Sequence, residues 1–154
     1  MSRQVIDVDA RSSAAREVVW RVIADARSWA RWGPWEETAL EREGKPPPDG
    51  VGALRRFRSP RRLAGRPVVT REEVTVFEPP SVLGYKLLSG LPLRDYEARI
   101  SLSDDGQQTA IRWRSEFDPK IPGTGGLIRR ELDRVIADAA ERAAREAERL
   151  AETA

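Results

Sequence analysis

Over its last thirty residues the chain repeats apolar positions at spacings of three and four. Leu127, Ile128, Leu132, Val135, Ile136, Ala139, Ala143, Ala147 and Leu150 form one stripe of a helix predicted over Gly123 to Ala154. Asp138/Arg142 and Glu141/Arg145 pair four apart on its wet side. At 1.5 Å per residue such a helix runs to roughly 40 Å, so only a broad sheet can cover it. The stripe is bulky at its start and alanine-rich afterwards, which implies two kinds of contact along one element.

Upstream the period changes. Gln4 to Ala10 alternates, with Ile6 and Val8 on one face, and reads as a strand. Ser13 as N-cap opens a helix with Ala15, Val18, Val19, Val22 and Ala26 on one side, and Asp25 caps a short piece to Trp32 that Gly33-Pro34 stops. Strands follow over Glu36 to Glu43, Val51 to Arg58, Val68 to Glu78, Val82 to Leu88, Leu93 to Ser103 and Gln108 to Asp118. Their connections, Ser59 to Gly65 among them, are too short for parallel crossovers. The expected architecture is therefore α+β: a seven-stranded antiparallel sheet around the terminal helix, with two short helices between strands 1 and 2. Alternation puts Val74, Val76, Leu83, Tyr85, Leu87, Tyr96, Ala98, Ile100, Leu102, Ile111, Trp113 and Phe117 on the face that meets the helix.

Composition narrows the chemistry. The 154 residues suit one domain, residues 1-154, and 27 basic against 25 acidic residues give a net charge of only +2, which does not indicate a nucleic-acid partner. There is no cysteine and no histidine, so thiolate and imidazole catalysis are absent and no metal site or cofactor is called for. No apolar run approaches a transmembrane length and no signal-peptide core stands at the start, so a cytoplasmic protein is expected. A homodimer is compatible with the sequence.

Glu72 shares the parity of Val74 and would point inward from a regular strand, where burial would raise its pKa; a wet strand end, or a bulge exchanging it with Glu73, is the other reading. Arg55, Arg56, Arg58, Arg61, Arg62 and Arg66 form the densest basic run and read as a solvated hairpin. Trp20, Trp29, Trp32 and Trp35 crowd one segment, packing the short helices over the open end of the sheet, with Trp35 nearest a pocket mouth.

Several segments then carry a resemblance in their order and spacing: Ala10, Val19-Trp20, Asp25, Trp29 to Pro34, Val51-Gly52, Phe77 to Pro80, Leu87 to Pro92, and Thr109 to Trp113 before the long helix. In these the chain resembles the START/Bet v 1-like (SRPBCC) superfamily and, within it, the bacterial polyketide cyclase/dehydrase-like proteins. The resemblance implies a helix-grip fold with a cavity between sheet and terminal helix that takes a small hydrophobic molecule. It also likens Ser89, Gly90, Leu91 and Pro92 to the gate loop of plant abscisic-acid receptors, whose latch sequence is absent here. Lys45 to Gly50 would be a further gate.

On pattern alone the aromatics and alanines read as packed core. With the resemblance, the expected cavity lining is Trp35, Val74, Tyr85, Leu87, Tyr96, Ala98, Ile100, Ile111, Trp113, Phe117, Leu132, Ile136, Ala139 and Ala143. The leading expectation is binding or transport of a lipid or aromatic polyketide-like molecule. A cyclase or dehydratase is the alternative, with Glu72, Tyr85 and Tyr96 the candidate acid-base groups. A module for a chaperone- or ribosome-associated protein partner is the third.

Overall fold

The computed structural model describes residues 3–63 and 65–153. Strand β1 (Gln4–Ser12) leads to helix α1 (Arg16–Ala24), a 3-10 turn (Ala26–Ser28) and helix α2 (Trp29–Trp32). Strands β2 (Glu37–Arg42), β3 (Leu54–Leu63), β4 (Arg66–Glu78), β5 (Val82–Ser89), β6 (Leu93–Asp105) and β7 (Gln108–Pro119) follow, and helix α3 (Gly125–Thr153) closes the chain. The strands form one sheet in the order β1-β7-β6-β5-β4-β3-β2, every neighbouring pair antiparallel. The seven strands, the two intervening helices and the long terminal helix stand where the periodicity placed them; Ala154 lies outside the described residues.

Helix α3 packs on β1, β7 and α1. Its second half makes that contact with small side chains: Ala139, Ala143, Ala144 and Ala147 have no exposed surface, so the helix backbone comes close to the sheet. Two hydroxyls fix this end of the fold, one bonded to α3 and one to the turn before α1. Ser12 donates to the carbonyl of Ala144 at 3.0 Å, and Thr109 donates to the carbonyl of Ala14 at 2.8 Å. The first half is covered less. Ile128, Leu132 and Val135 are half-buried and Leu127 is 65% exposed, while an Arg61–Glu131 ion pair ties this end to the β3–β4 hairpin.

The short helices carry an aromatic cluster to the other side of the grip. The Trp29 ring lies 5.2 Å from Trp32, 5.3 Å from Trp35, 5.4 Å from Phe57 and 5.5 Å from Trp113, centroid to centroid. Its indole N–H donates to the carbonyl of Ile23 at 2.9 Å, so the cluster is fixed in direction as well as buried. Asp25 caps the 3-10 turn through the backbone N–H of Arg27, as expected from its position.

Four local expectations change. Helix α1 starts at Arg16 with Ala15 as N-cap rather than Ser13, whose backbone N–H donates to the Glu148 carboxylate at 2.8 Å; its buried face is Val19, Trp20, Val22 and Ile23. A bulge between Val74 and Val76 pairs Val76 with Gly84 and Phe77 with Leu83, so Val76 turns to the outer face while Phe77 turns inward onto Trp20, 5.2 Å between ring centroids. The strands β3 and β4 run further than their apolar alternation, to Leu63 and from Arg66, and shorten the predicted turn at Ser59 to Gly65, of which Ala64 lies outside the described residues. The fourth is Arg55, which is not on the solvated side of its hairpin.

Candidate functional site

Burial alternates from Ala53 into the first half of β3, and the inward parity is Ala53, Arg55 and Phe57. Arg55 is therefore carried into the core, where 1% of it is exposed. Its guanidinium carbon lies 4.6 Å from the Trp29 ring centroid, 4.9 Å from that of Tyr85 and 5.2 Å from that of Phe57. Ring faces attract a desolvated cation by about 2 kcal/mol or more, which offsets part of the cost of removing it from water.

The neighbouring strand supplies the counter-charge. Glu72 stands directly across from Arg55 in the β3–β4 register and accepts from its Nη2 at 3.0 Å. Glu72 thus points inward, and Glu73 faces outward to Arg42 and Lys86. Burial pushes the Glu72 carboxyl above its ordinary value, and the Arg55 charge offsets only part of that.

Glu72 pairs in turn with Leu87 on β5, and Tyr85 of the same strand reaches the cluster. The Tyr85 hydroxyl accepts from the Trp113 indole N–H at 3.0 Å, and the Tyr96 and Ser115 hydroxyls lie 3.0 Å apart. Both phenols are raised, chiefly by burial, with Tyr96 and Glu72 adding to the shift at Tyr85 and Glu72 adding to that at Tyr96. Neither is a base near neutral pH; both are hydrogen-bonding groups in a dry setting. Asp49, in the loop before β3, accepts from the Ala26 backbone N–H at 3.3 Å and is held up by burial, with Arg55 pulling the other way.

Two donors in this cluster are unused. The Nε and Nη1 groups of Arg55 are buried and have no hydrogen-bond partner among the described residues. A buried N–H on a charged group without an acceptor is unfavourable by a few kcal/mol, so such a group marks a place where an acceptor belongs.

Of the residues expected to line a cavity, Val74, Tyr85, Tyr96, Ala98, Ile100, Ile111, Trp113, Phe117, Ile136, Ala139 and Ala143 are all buried. Trp35, Leu87 and Leu132 are half-buried and form the accessible edge of the set. Ala139 and Ala143 belong to the tight seam of α3, where their small side chains let helix and sheet approach closely. The Ser89-Gly90-Leu91-Pro92 turn is seated on β4. Gly90 has φ +110°, and a Cβ there would meet the Val69 carbonyl oxygen at 2.1 Å. Lys45 to Gly50 is closed on itself through the Lys45–Val51 bridge and the Gly50 N–H to the Pro46 carbonyl, 2.9 Å. A groove of about 450 Å³ crosses the outer face of the sheet beside Gly84 and Arg99. Its Arg112 and Arg114 are already engaged by Asp7 and Glu116, and it is remote from the Arg55 cluster.

Sequence reasoning placed Glu72, Tyr85, Tyr96 and Trp113 as inner-face candidates and missed Arg55, Ser115 and Asp49. The signal for Arg55 was its parity with Ala53 and Phe57, masked by the five other arginines around it.

A grip of antiparallel strands around one long helix, with two short helices after the first strand, is the architecture of a START/Bet v 1-type helix-grip domain. The family model described as polyketide cyclase / dehydrase and lipid transport matches residues 3–152, and the chain belongs to that family. A START superfamily protein from Mycobacterium smegmatis superposes with a TM-score of 0.79 at 15% identity, covering 95% of this chain and 98% of that one. The Zhui aromatase/cyclase from a Streptomyces species gives 0.76 at 18% identity, covering 96% and 95%. A protein from Thermus thermophilus gives 0.71 at 17% identity, covering 98% and 100%. At these identities the structures establish the fold alone. No curated protein matches the chain at a significant level. Among the described residues no helix is long and apolar enough to cross a membrane.

Proposed function

We propose that the protein binds and carries a small hydrophobic molecule, lipid or aromatic polyketide-like, with one oxygen-bearing end. That end is held by Arg55, and the apolar body lies beneath the first half of α3. The observation that carries this reading is the two unpartnered donor nitrogens of a 1%-exposed arginine set among Trp29, Phe57 and Tyr85. An oxygen acceptor of the ligand would satisfy them, and the rings would pack its body. The half-buried Leu87 and Leu132 mark the side from which the ligand enters, past the Ser89–Pro92 turn. A panel of lipids and aromatic polyketide-like compounds should raise the melting temperature of the wild-type protein, and organic extraction of purified protein should release a bound molecule. A panel without effect together with an empty extract removes the proposal.

A cyclase or dehydratase is the second reading, favoured by one observation: Glu72 is a buried carboxyl with its pKa raised, which brings it closer to the range where an acid-base group works. Glu72→Gln should then abolish turnover of a substrate while leaving it bound. Unchanged turnover would exclude Glu72 from the chemistry.

A further inference from the structure

One end of the molecule combines exposed apolar side chains with unbalanced positive charge. The β3–β4 hairpin, the Ser89–Pro92 turn, the connection from β7 to α3 and the first turns of α3 all meet there. The Arg61–Glu131 ion pair and the hydrogen bond from the Lys120 N–H to the Pro92 carbonyl, 3.0 Å, join them. Among the described residues five large apolar side chains are well exposed, and three of them lie in these segments: Leu127 at 65%, Ile121 at 55% and Leu88 at 49%. Residues 60–66, 88–95 and 118–134 hold eight basic and four acidic side chains, a net +4 against +2 for the whole chain, so the remainder is net −2. On α3 the two properties share one face, because Leu127, exposed Arg130 and exposed Arg134 stand at i, i+3 and i+7.

We infer that this end docks on the surface of an anionic lipid bilayer. Leu127 and Ile121 enter the boundary between headgroups and acyl chains while Arg130, Arg134 and Lys120 meet lipid phosphates. Such a surface favours both halves of the pattern at once, apolar area buried and positive charge next to negative headgroups. A folded protein partner would have to supply a concave apolar seat and matching acids; a bilayer needs neither. The docked face borders the turn past which the ligand is proposed to enter, yet docking is a property of the protein alone and stands apart from the ligand reading.

The test is flotation of the intact protein with vesicles of phosphatidylcholine, alone or with about one-third phosphatidylglycerol. The protein should float with the anionic vesicles only, and raised salt should release it. Leu127→Asp and the double variant Arg130→Glu/Arg134→Glu should each lower the bound fraction about fivefold or more. Arg99→Glu, the reversal of one charge at an exposed site on the outer sheet face, should leave it unchanged. Circular dichroism melts of the variants verify folding, which these exposed positions should not disturb. Failure of the wild type to float, equal flotation with neutral vesicles, or an equal loss in Arg99→Glu overturns the inference.

Discussion

The two halves of α3 solve different problems with one continuous helix. From Ala139 to Ala147 it presents small side chains and is sealed on β1, β7 and α1, without exposed surface at the seam. From Leu127 to Val135 it presents bulky ones and is only half covered, although bulky apolar groups gain most from burial. If stability alone shaped the helix, the leucines would occupy the seam or the sheet would close on them. The alanine half therefore gives the closest contact between helix and sheet, while the leucine half keeps bulky apolar surface only partly covered. On the sheet side, the strands remote from the alanine seam carry Arg55 with its two unused donors.

The largest effect should come from the buried charge. Arg55→Met leaves Glu72 buried without its partner and should destabilise the protein by about 3 kcal/mol at neutral pH in urea unfolding; Arg55→Met/Glu72→Leu should recover most of it. A small loss in the single variant would mean that the pair is wet. Next is the seam. Ala143→Leu, at a position without exposed surface, should lose about 2 kcal/mol by overpacking, whereas Leu132→Ala should lose about 1 kcal/mol because that side chain is only half-buried. The reverse order would erase the distinction between the halves.

The turn between β5 and β6 comes after these. Gly90→Ala forces a Cβ against the Val69 carbonyl in a left-handed conformation and should lose about 1 kcal/mol while lifting the turn, read as faster hydrogen exchange at residues 89–93.

The smallest effect is a pH dependence. Glu72 is raised above its ordinary 4.5 in the folded state, chiefly by burial. Between the ordinary and the raised values the folded protein binds more protons than the unfolded one. The stability contributed by Glu72 is therefore full below 4.5 and falls as pH rises through the folded value. The stability of wild type minus that of Glu72→Gln should decline over this window. A rise would mean that the attraction of Arg55 outweighs burial.

Much of this was legible from periodicity. Alternation over Tyr96, Ala98, Ile100 and Leu102, with short turns on either side, leaves little but an antiparallel meander, and the stripe from Leu127 to Leu150 leaves little but a long helix. What could not be read were departures from a period. The bulge at Val76 reverses the parity of Phe77 because one extra backbone residue is inserted, and a periodicity argument has no term for it. Arg55 was obscured differently: its position gave the inward parity, but its charge invited the solvated reading, and the ring faces that make burial tolerable come from Trp29 and Tyr85, distant in sequence. Ser13 offered a good capping side chain, yet the helix begins after Ala15, and Ser13 is instead tied by its backbone N–H to Glu148 at the far end of α3. Tertiary contacts decided each case.

In the proposed complex Arg55 holds the polar end of a hydrophobic ligand under the leucine half of α3. Its most direct test is calorimetric titration with a matched pair of aromatic ligands that differ only in one terminal carbonyl or carboxylate oxygen group. Wild type should bind the oxygenated member at least about tenfold more tightly, and Arg55→Met should lose that preference while keeping affinity for the apolar body. Equal affinity of wild type for the two ligands, or a preference that persists in Arg55→Met, would contradict the account.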